Sequence, residues 1–512
     1  MARTVHFEDR FEALADAVEA LMKDFDAEFG EVEPGKAVDY ARFEERVEDG
    51  LAAMARALHS AALRKLDIDA PFISIWGEPY RRMERTPGQY RCLGGTVTIE
   101  RTTYRRTAAH GGGPNVDVVS VRAGAVGDGW LPRTARAMAH LLAKGTSREA
   151  EETAGELRRL PYSRSSFERV GHEVGALYAR ASTRIEQALI EELTIPDEAK
   201  SVSVSIDRAA LPMEEAVEEE GGELDPEMEA QYRQLKPRFE VDPRTQAVLD
   251  EAKVAAKEKQ PKVARNWRMA YAATVTLHDD KGEALHTIRY GRMPRSNPRK
   301  LGERLAADVK ALRERRPGLR VVCLADGAPE MWTLLDNWIC ERTVGVKPVR
   351  LLDLWHVLEY LGKAAVAMET HKKAWPGQHR RWRHELKEEP GAAKRILDEL
   401  RASGLEKLRV DNERPVGDAI RYIENRLSLM QYADARRDGL PVGSGNVEAT
   451  CKSLIGLRMK RPGARWKHKT GEEILHLRAL VLSSRWERGI DRALHQVKRS
   501  VKTLSRAEAI AA

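Results

Sequence analysis

Apolar residues recur at helical spacing at the start of the chain, at Phe11, Leu14, Val18 and Leu21, and predict two helices up to about Leu66. The period then changes. "FISIW" from Phe72 and "TVTIERTTYRR", which follows the Gly94-Gly95 turn, alternate as strands do, and "HGGGPN" breaks the pattern after Arg106. From Pro132 three more helices are expected. The pairs Thr146–Glu149 and Ser165–Glu168 have the spacing at which each side chain caps the other's backbone amide at a helix start. The helices "SREAEETAGELRRL" and "SFERVGHEVGALYARA" are joined by a short turn containing Pro161. That is the outline of a helix-turn-helix, with Arg164 and Arg169 placed for phosphate or base contacts. An ordinary helical hairpin fits the same pattern.

A different layout begins after "LTIPDEAK". "SVSVSID" predicts a strand ending at Asp207, and "AYAATVTLHDDKGEALHTIRYGRM" a hairpin turning at Asp280-Lys281-Gly282. "PRKLGERLAADVKALRERR" predicts a helix, "LRVVCLADGAPEMW" a buried strand ending at Asp326, and "VKPVRLLDLWHVLEYL" a strand running into a helix. This order suits a mixed sheet whose first three strands are antiparallel and whose later ones are joined by crossover helices. From about Glu359 to Gln431 the chain is helical, charged and rich in Trp and Arg, as an inserted helical domain would be. It returns at Gly443-Ser444-Gly445 and Glu448.

At 512 residues, two to four domains are expected. The boundaries fall as a helical region 1–70, a small β-rich region with a linker 71–130, and a helix-turn-helix region 131–196. A catalytic α/β domain then takes 197–358 and 441–488, interrupted by a helical insertion 359–440 and followed by a tail 489–512. No run of about 18 apolar residues appears, so no membrane span is expected. The acidic amphipathic N-terminus lacks a signal peptide's plan. Cys92, Cys323, Cys340 and Cys451 are scattered without a C-x-x-C pair, which argues against a disulfide framework and fits a reducing cytoplasm.

A net charge of +7 and a pI near 9.1 point only weakly to a polyanionic partner. Distribution says more. The first sixty residues and "MEEAVEEEGGELDPEMEA" are acidic, whereas Lys452, Arg458, Lys460, Arg461 and Arg465 crowd the segment after Glu448. Singly, an Asp at a strand end is usually a turn residue, a Glu in a first helical turn favours the macrodipole, and Glu448–Lys452 is an i,i+4 pair. Together, Asp207, Asp326 and Glu448 make an all-oxygen, three-carboxylate set of the kind Mg²⁺ takes. Two such ions activate a water or a 3′-hydroxyl for in-line phosphoryl displacement, and neighbouring cations hold the polyanion's backbone.

The stretches "SVSIDRAALPMEE", "CLADGAPEMW", "LLDLWHVLEYLGKAA" and "GSGNVEATCKSLIGLRMKRPGARW" resemble bacterial DDE insertion-sequence transposases of the ISKra group, related to the Mutator superfamily. The resemblance runs from about Ser201 to Trp486 through four ordered motifs. It implies an RNase H-like mixed-sheet catalytic domain, with a helical insertion before the last acidic residue. It implies the catalytic and metal-binding triad Asp207, Asp326 and Glu448, with two Mg²⁺ ions for which Mn²⁺ can substitute. The family's D-x-x-H motif falls on Asp353, a supporting or helix-capping carboxylate, and on His356, a group orienting DNA or the scissile phosphate. Read without the motif, His356 is a core histidine beside Trp355. The implied partners are the element's terminal inverted repeats and target DNA, bound by at least two protomers in the cytoplasm at the nucleoid. The implied reaction hydrolyses a phosphodiester at each element end and joins the freed 3′-hydroxyl to the target, without ATP. Two departures stand out: Arg208 replaces a common glycine, and Cys92 stands alone where some relatives pair cysteines, so no zinc-ribbon reader is expected. The rival expectations are a DNA-binding regulator, in effect a domesticated transposase, and an RNase H-like nuclease.

Overall fold

The computed structural model describes residues 6–30, 35, 37–107, 113–216, 263–371 and 376–511. Residues 217–230 of the acidic stretch and part of the "HGGGPN" break lie outside the described residues. Helices α1 (Glu12–Phe29) and α2 (Tyr40–Arg64) meet through an aromatic cluster in which Phe29 and Phe43 stand edge-on at 4.7 Å. The first sheet contains β1 (Phe72–Ile75), β2 (Glu78–Cys92), β3 (Gly95–Arg106) and β4 (Val116–Asp117). The sequence pattern does not predict β2: Pro79, Pro87, Gly88 and a bulge between Arg82 and Arg85 hide its alternation.

After the short α3 (Val118–Ala123) come α4 (Pro132–Lys144), α5 (Ser147–Glu156) and α6 (Arg164–Glu191). The Thr146–Glu149 capping box forms at the start of α5. The second expected box does not. Helix α6 begins at Arg164, whose N–H is taken by Glu151 at 3.0 Å, and the Ser163 hydroxyl turns to those of Ser165 and Ser166. α6 is 28 residues long, and its buried face carries Phe167, Val170, Val174 and Tyr178. The simple helix-turn-helix outline therefore gives way to a helix buried in a larger core.

The second sheet takes β5 (Ser201–Ala216), β6 (Val263–His278), β7 (Ala284–Arg292), β8 (Arg320–Ala325) and β9 (Val349–Leu352), in the order β7-β6-β5-β8-β9. β5, β6 and β7 pair antiparallel, and β8 and β9 continue in parallel. This is the mixed sheet that the strand and helix order predicts. One boundary differs: β5 does not end at Asp207 but runs to Ala216, paired throughout with β6, because Ala209, Leu211 and Met213 keep alternate positions buried.

Helix α7 (Pro298–Arg315) covers one sheet face, with Leu301, Leu305, Val309 and Leu312 against Val204, Ile206 and Val275. α8 (Pro329–Trp338) and the short α9 (Glu341–Val344) link β8 to β9. Between β9 and the return at Gly443 lie α10 (Leu354–Thr370), α11 (Gln378–Glu388), α12 (Ala392–Ala402), α13 (Pro415–Glu424) and α14 (Tyr432–Arg437). They share a core that includes Trp382, Ile396, Val416 and Tyr432. Next come α15 (Gly445–Thr450), a π-helical turn (Cys451–Gly456) and α16 (Leu457–Met459), which with α17 (His468–Leu482) pack on the opposite sheet face through Leu454, Met459 and Leu475.

The expected tail is structured. Helix α18 (Trp486–His495) joins α17 in packing Leu477, Leu480, Trp486 and Ile490 on α6. Strand β10 (Val501–Leu504) then pairs with β1, Phe72 opposite Leu504, before a last turn of helix, α19 (Arg506–Ala511). No helix among the described residues is long and apolar enough to cross a membrane.

Candidate active site

Strands β5 and β8 run parallel, and their last paired residues are Ser205 and Leu324. Asp207, within β5, and Asp326, just past the end of β8, each lie two residues further on and so stand at the same level of neighbouring strands about 4.8 Å apart. The Asp207 carboxylate accepts the Arg208 N–H at 2.6 Å and the Cys451 thiol at 3.3 Å. Asp326 accepts the Ala328 N–H at 3.0 Å, and its backbone carbonyl takes the Trp332 indole at 2.9 Å. The guanidinium of Arg208 pairs with Glu330 of α8 at 3.3 Å.

Glu448 lies in the first turn of α15. One carboxylate oxygen is 3.6 Å from His356 Nε2 and the other 4.0 Å from Lys452 Nζ. His356 is thus part-exposed beside Glu448 and is not a core histidine. Asp353 is the buried member. It caps α10 by accepting the N–H groups of Trp355 (2.6 Å) and His356 (3.3 Å), and it accepts both the N–H and the hydroxyl of Ser444. Its own N–H donates to the Ala325 carbonyl at 2.9 Å.

Two neighbours of the carboxylates carry no signal in the sequence. Burial and the Asp207 carboxylate push the Cys451 thiol's pKa well up, so the thiol stays protonated and donates. Arg426, from the loop after α13, donates to the Gly327 carbonyl at 2.8 and 3.3 Å and lies over Tyr422. A Cβ at Gly327 would fall 2.5 Å from Arg426 and 2.9 Å from Tyr422, so a side chain there would displace Arg426.

Among the described residues, no three His, Cys, Asp or Glu side chains converge on one metal-holding point. The donor chemistry nevertheless suits a hard cation: Mg²⁺ takes one or two carboxylates and fills its octahedron with water and phosphate oxygens. Asp207 and Asp326 are two carboxylates at one level of neighbouring strands, while Glu448 faces His356 and Lys452.

The expected DNA-facing cations divide. Lys452, Lys460, Arg465 and Arg164 are exposed. Arg458 is buried over Trp466, Arg461 pairs with Glu149 of α5, and Arg169 pairs with Asp128 at 3.0 Å. Arg458 is thus withdrawn from the outer surface, whereas Arg169 and Arg461 reach it as ion pairs. A π-helical turn lies between Glu448 and Arg458.

No protein-family model matches the chain, and no curated protein does. Among solved structures it is similar to the Drosophila P element transposase strand transfer complex, at 11% identity over 70% of this chain and 80% of that chain. The TM-score is 0.23, and a likeness at that level carries no weight for fold or function.

Proposed function

We propose that the chain is a DDE transposase that cleaves insertion-element ends and joins them to target DNA. One observation carries this most: Asp207 and Asp326 lie at one level of adjacent parallel strands, and Asp353 fastens the helix of Glu448 to the same part of the sheet. The order β7-β6-β5-β8-β9, with helices inserted before Glu448, supports an RNase H-like reading of residues 197–358 and 441–488, with 359–440 as the insertion. The remaining division, 1–70, 71–130, 131–196 and 489–512, belongs to the same proposal.

Asp207, Asp326 and Glu448 would hold two Mg²⁺ ions, or Mn²⁺, whose charge would favour deprotonation of a water or 3′-hydroxyl and stabilisation of the leaving oxygen. The chain's own groups do the rest. Lys452, Lys460 and Arg465 hold backbone phosphates, and Lys452 comes nearest the scissile one because it sits one turn from Glu448. His356 donates to a phosphate oxygen beside Glu448. Because two ends must be brought together, the working form is a homo-oligomer on DNA, in the cytoplasm at the nucleoid.

The test is single-turnover cleavage of duplexes carrying the repeats that bracket the gene, in Mg²⁺ and in chelator. Asp207→Ala, Asp326→Ala and Glu448→Ala should each abolish cleavage and leave end binding nearly intact. Normal cleavage by any one of them removes that residue from the site. A wild-type chain that binds the ends and never cuts is a regulator.

A further inference from the structure

A cleft of about 890 Å³ opens between the N-terminal ends of α5 and α6 and the chain between α16 and α17. Arg148 and Arg164 line it from the helices, and Arg458, Arg461, Arg465 and Lys467 from the other wall. Three carboxylates share it. Glu149 is bound to Arg461, Glu214 lies 3.6 Å from Lys467, and Glu168 is close enough to act on the charge of Arg458. Cations remain in excess, although the two helix N-termini are already met by carboxylates, Glu149 on the Thr146 N–H and Glu151 on the Arg164 N–H.

Arg458 is the unusual member. It is only 7% exposed, its guanidinium lies 5.0 Å from the Trp466 ring centre, and its Nε has no hydrogen-bond partner among the described residues. Burial, with Arg461 beside it, lowers its pKa to about 10. Arg478 is a useful contrast. It is just as buried, but it donates to the carbonyls of Ala143, Ser453 and Leu454. A buried guanidinium N–H without an acceptor is costly to keep unless something else meets it.

The cleft is also set apart from the carboxylates. Trp466 bridges Met213, six residues beyond Asp207 along β5, or about 20 Å at strand rise. Duplex DNA covers that distance in roughly six base pairs.

We propose that this cleft is a second DNA site, in which a backbone phosphate of duplex DNA takes Arg458 as its buried partner while Arg148, Arg164 and Arg465 hold adjoining phosphates. The inference rests on DNA being the substrate, but not on its being cut.

The test is fluorescence anisotropy of the full chain with a duplex in chelator, across a salt series. Arg458→Met, Arg164→Gln and Arg465→Gln should each weaken binding and lower the log–log salt slope by about 0.9 for every phosphate that is no longer neutralised. Arg458→Met should also melt no lower than wild type, because it removes a buried charge without an acceptor. Wild-type affinity and slope in the two exposed variants overturn the proposal. So does Arg458→Met melting lower while binding normally, since Arg458 then only packs. Inorganic phosphate that stabilises the wild type but is not displaced by duplex would mark a small-anion site and reject DNA. A chain that binds through the cleft yet never cleaves leaves this inference standing and sinks the transposase reading. A chain that cleaves while the cleft variants bind normally does the reverse.

Discussion

Ser444 gives both its backbone N–H and its hydroxyl to one carboxylate oxygen of Asp353, 91 positions earlier in the chain. The other oxygen caps α10 at Trp355 and His356, and the Asp353 N–H holds Ala325, the residue before Asp326. His356 and the helix of Glu448 therefore hang on one buried carboxylate, and the backbone of the same residue ties them to the strand end before Asp326. Asp353→Ala should cost about 1 kcal/mol for the cap and about 1–3 kcal/mol more for each buried donor left unpaired. Thermal melting reads that cost. Single-turnover cleavage should fall much further than DNA affinity, and cleavage at the wild-type rate would show that the site does not depend on this link.

Arg426 performs a similar task from the other side. Its guanidinium joins the inserted helices to the Gly327 carbonyl, next to Asp326. Arg426→Ala should slow cleavage and raise the Mg²⁺ concentration needed for half-maximal rate, because the Asp326 loop loses its anchor. Arg426→Lys, with a single ammonium, should recover only part of this. If both variants keep the wild-type Mg²⁺ dependence, Arg426 does not position Asp326.

The four cysteines should separate by reactivity. Burial raises the pKa of Cys92, Cys323 and Cys451, whereas the Thr343 hydroxyl lowers that of part-exposed Cys340. Thiolates are the reactive form. Maleimide labelling of the native chain near pH 7, followed by peptide mapping, should therefore modify Cys340 first. Early labelling of Cys451 would contradict its hydrogen bond to Asp207.

What is legible in the sequence is local. β8 and β9 read correctly because short apolar runs flanked by turns have few other interpretations, and the Asp280–Gly282 turn announces its hairpin. β5 reads too short because Arg208, Pro212, Glu214 and Glu215 look unlike a strand, and only pairing with β6 keeps them in one. Helical spacing carries Lys452 to Glu448 correctly, over four residues. The expectation that Arg458 faces DNA does not foresee its burial, because the partner, Trp466, comes from the next loop. Asp353 reads as a cap, yet its bond to Ser444 depends on a return after the whole insertion.

The Arg461–Glu149 pair predicts a dependence on pH. The Thr146 N–H, and then Arg461, hold the Glu149 carboxyl down to about 2, against an ordinary value of 4.5. A carboxyl with a depressed folded pKa stabilises above its unfolded pKa, and that contribution is lost as pH falls toward the folded value. Glu149→Gln should therefore melt lower than wild type at pH 7, and the gap should close between about pH 4.5 and 2. Glu149 is part-exposed, so the difference should be small and shrink with salt. A gap that stays constant down to pH 2 would assign the effect to the capping geometry alone.

A fragment from about Pro132 to Arg180 has the sequence outline of an independent DNA reader, yet the fold argues that it cannot stand alone. The buried face of α6 is completed by Leu477 and Leu480 of α17 and by Trp486, Ile490 and Leu494 of α18, some three hundred positions later. Removing them exposes Phe167, Val170, Val174 and Tyr178 together, and a large apolar side chain left in water forfeits about 1.5–3 kcal/mol. Three short helices have no other means of recovering that loss. The fragment should show weak helical circular dichroism, no cooperative melt and no salt-sensitive affinity for duplex DNA. Adding residues 468–495 through a flexible linker should restore the helices, and with them the wall of the cleft that holds Arg148 and Arg164. If the short fragment folds and binds DNA unaided, α6 is an autonomous reader and its packing on α17 and α18 is incidental to recognition.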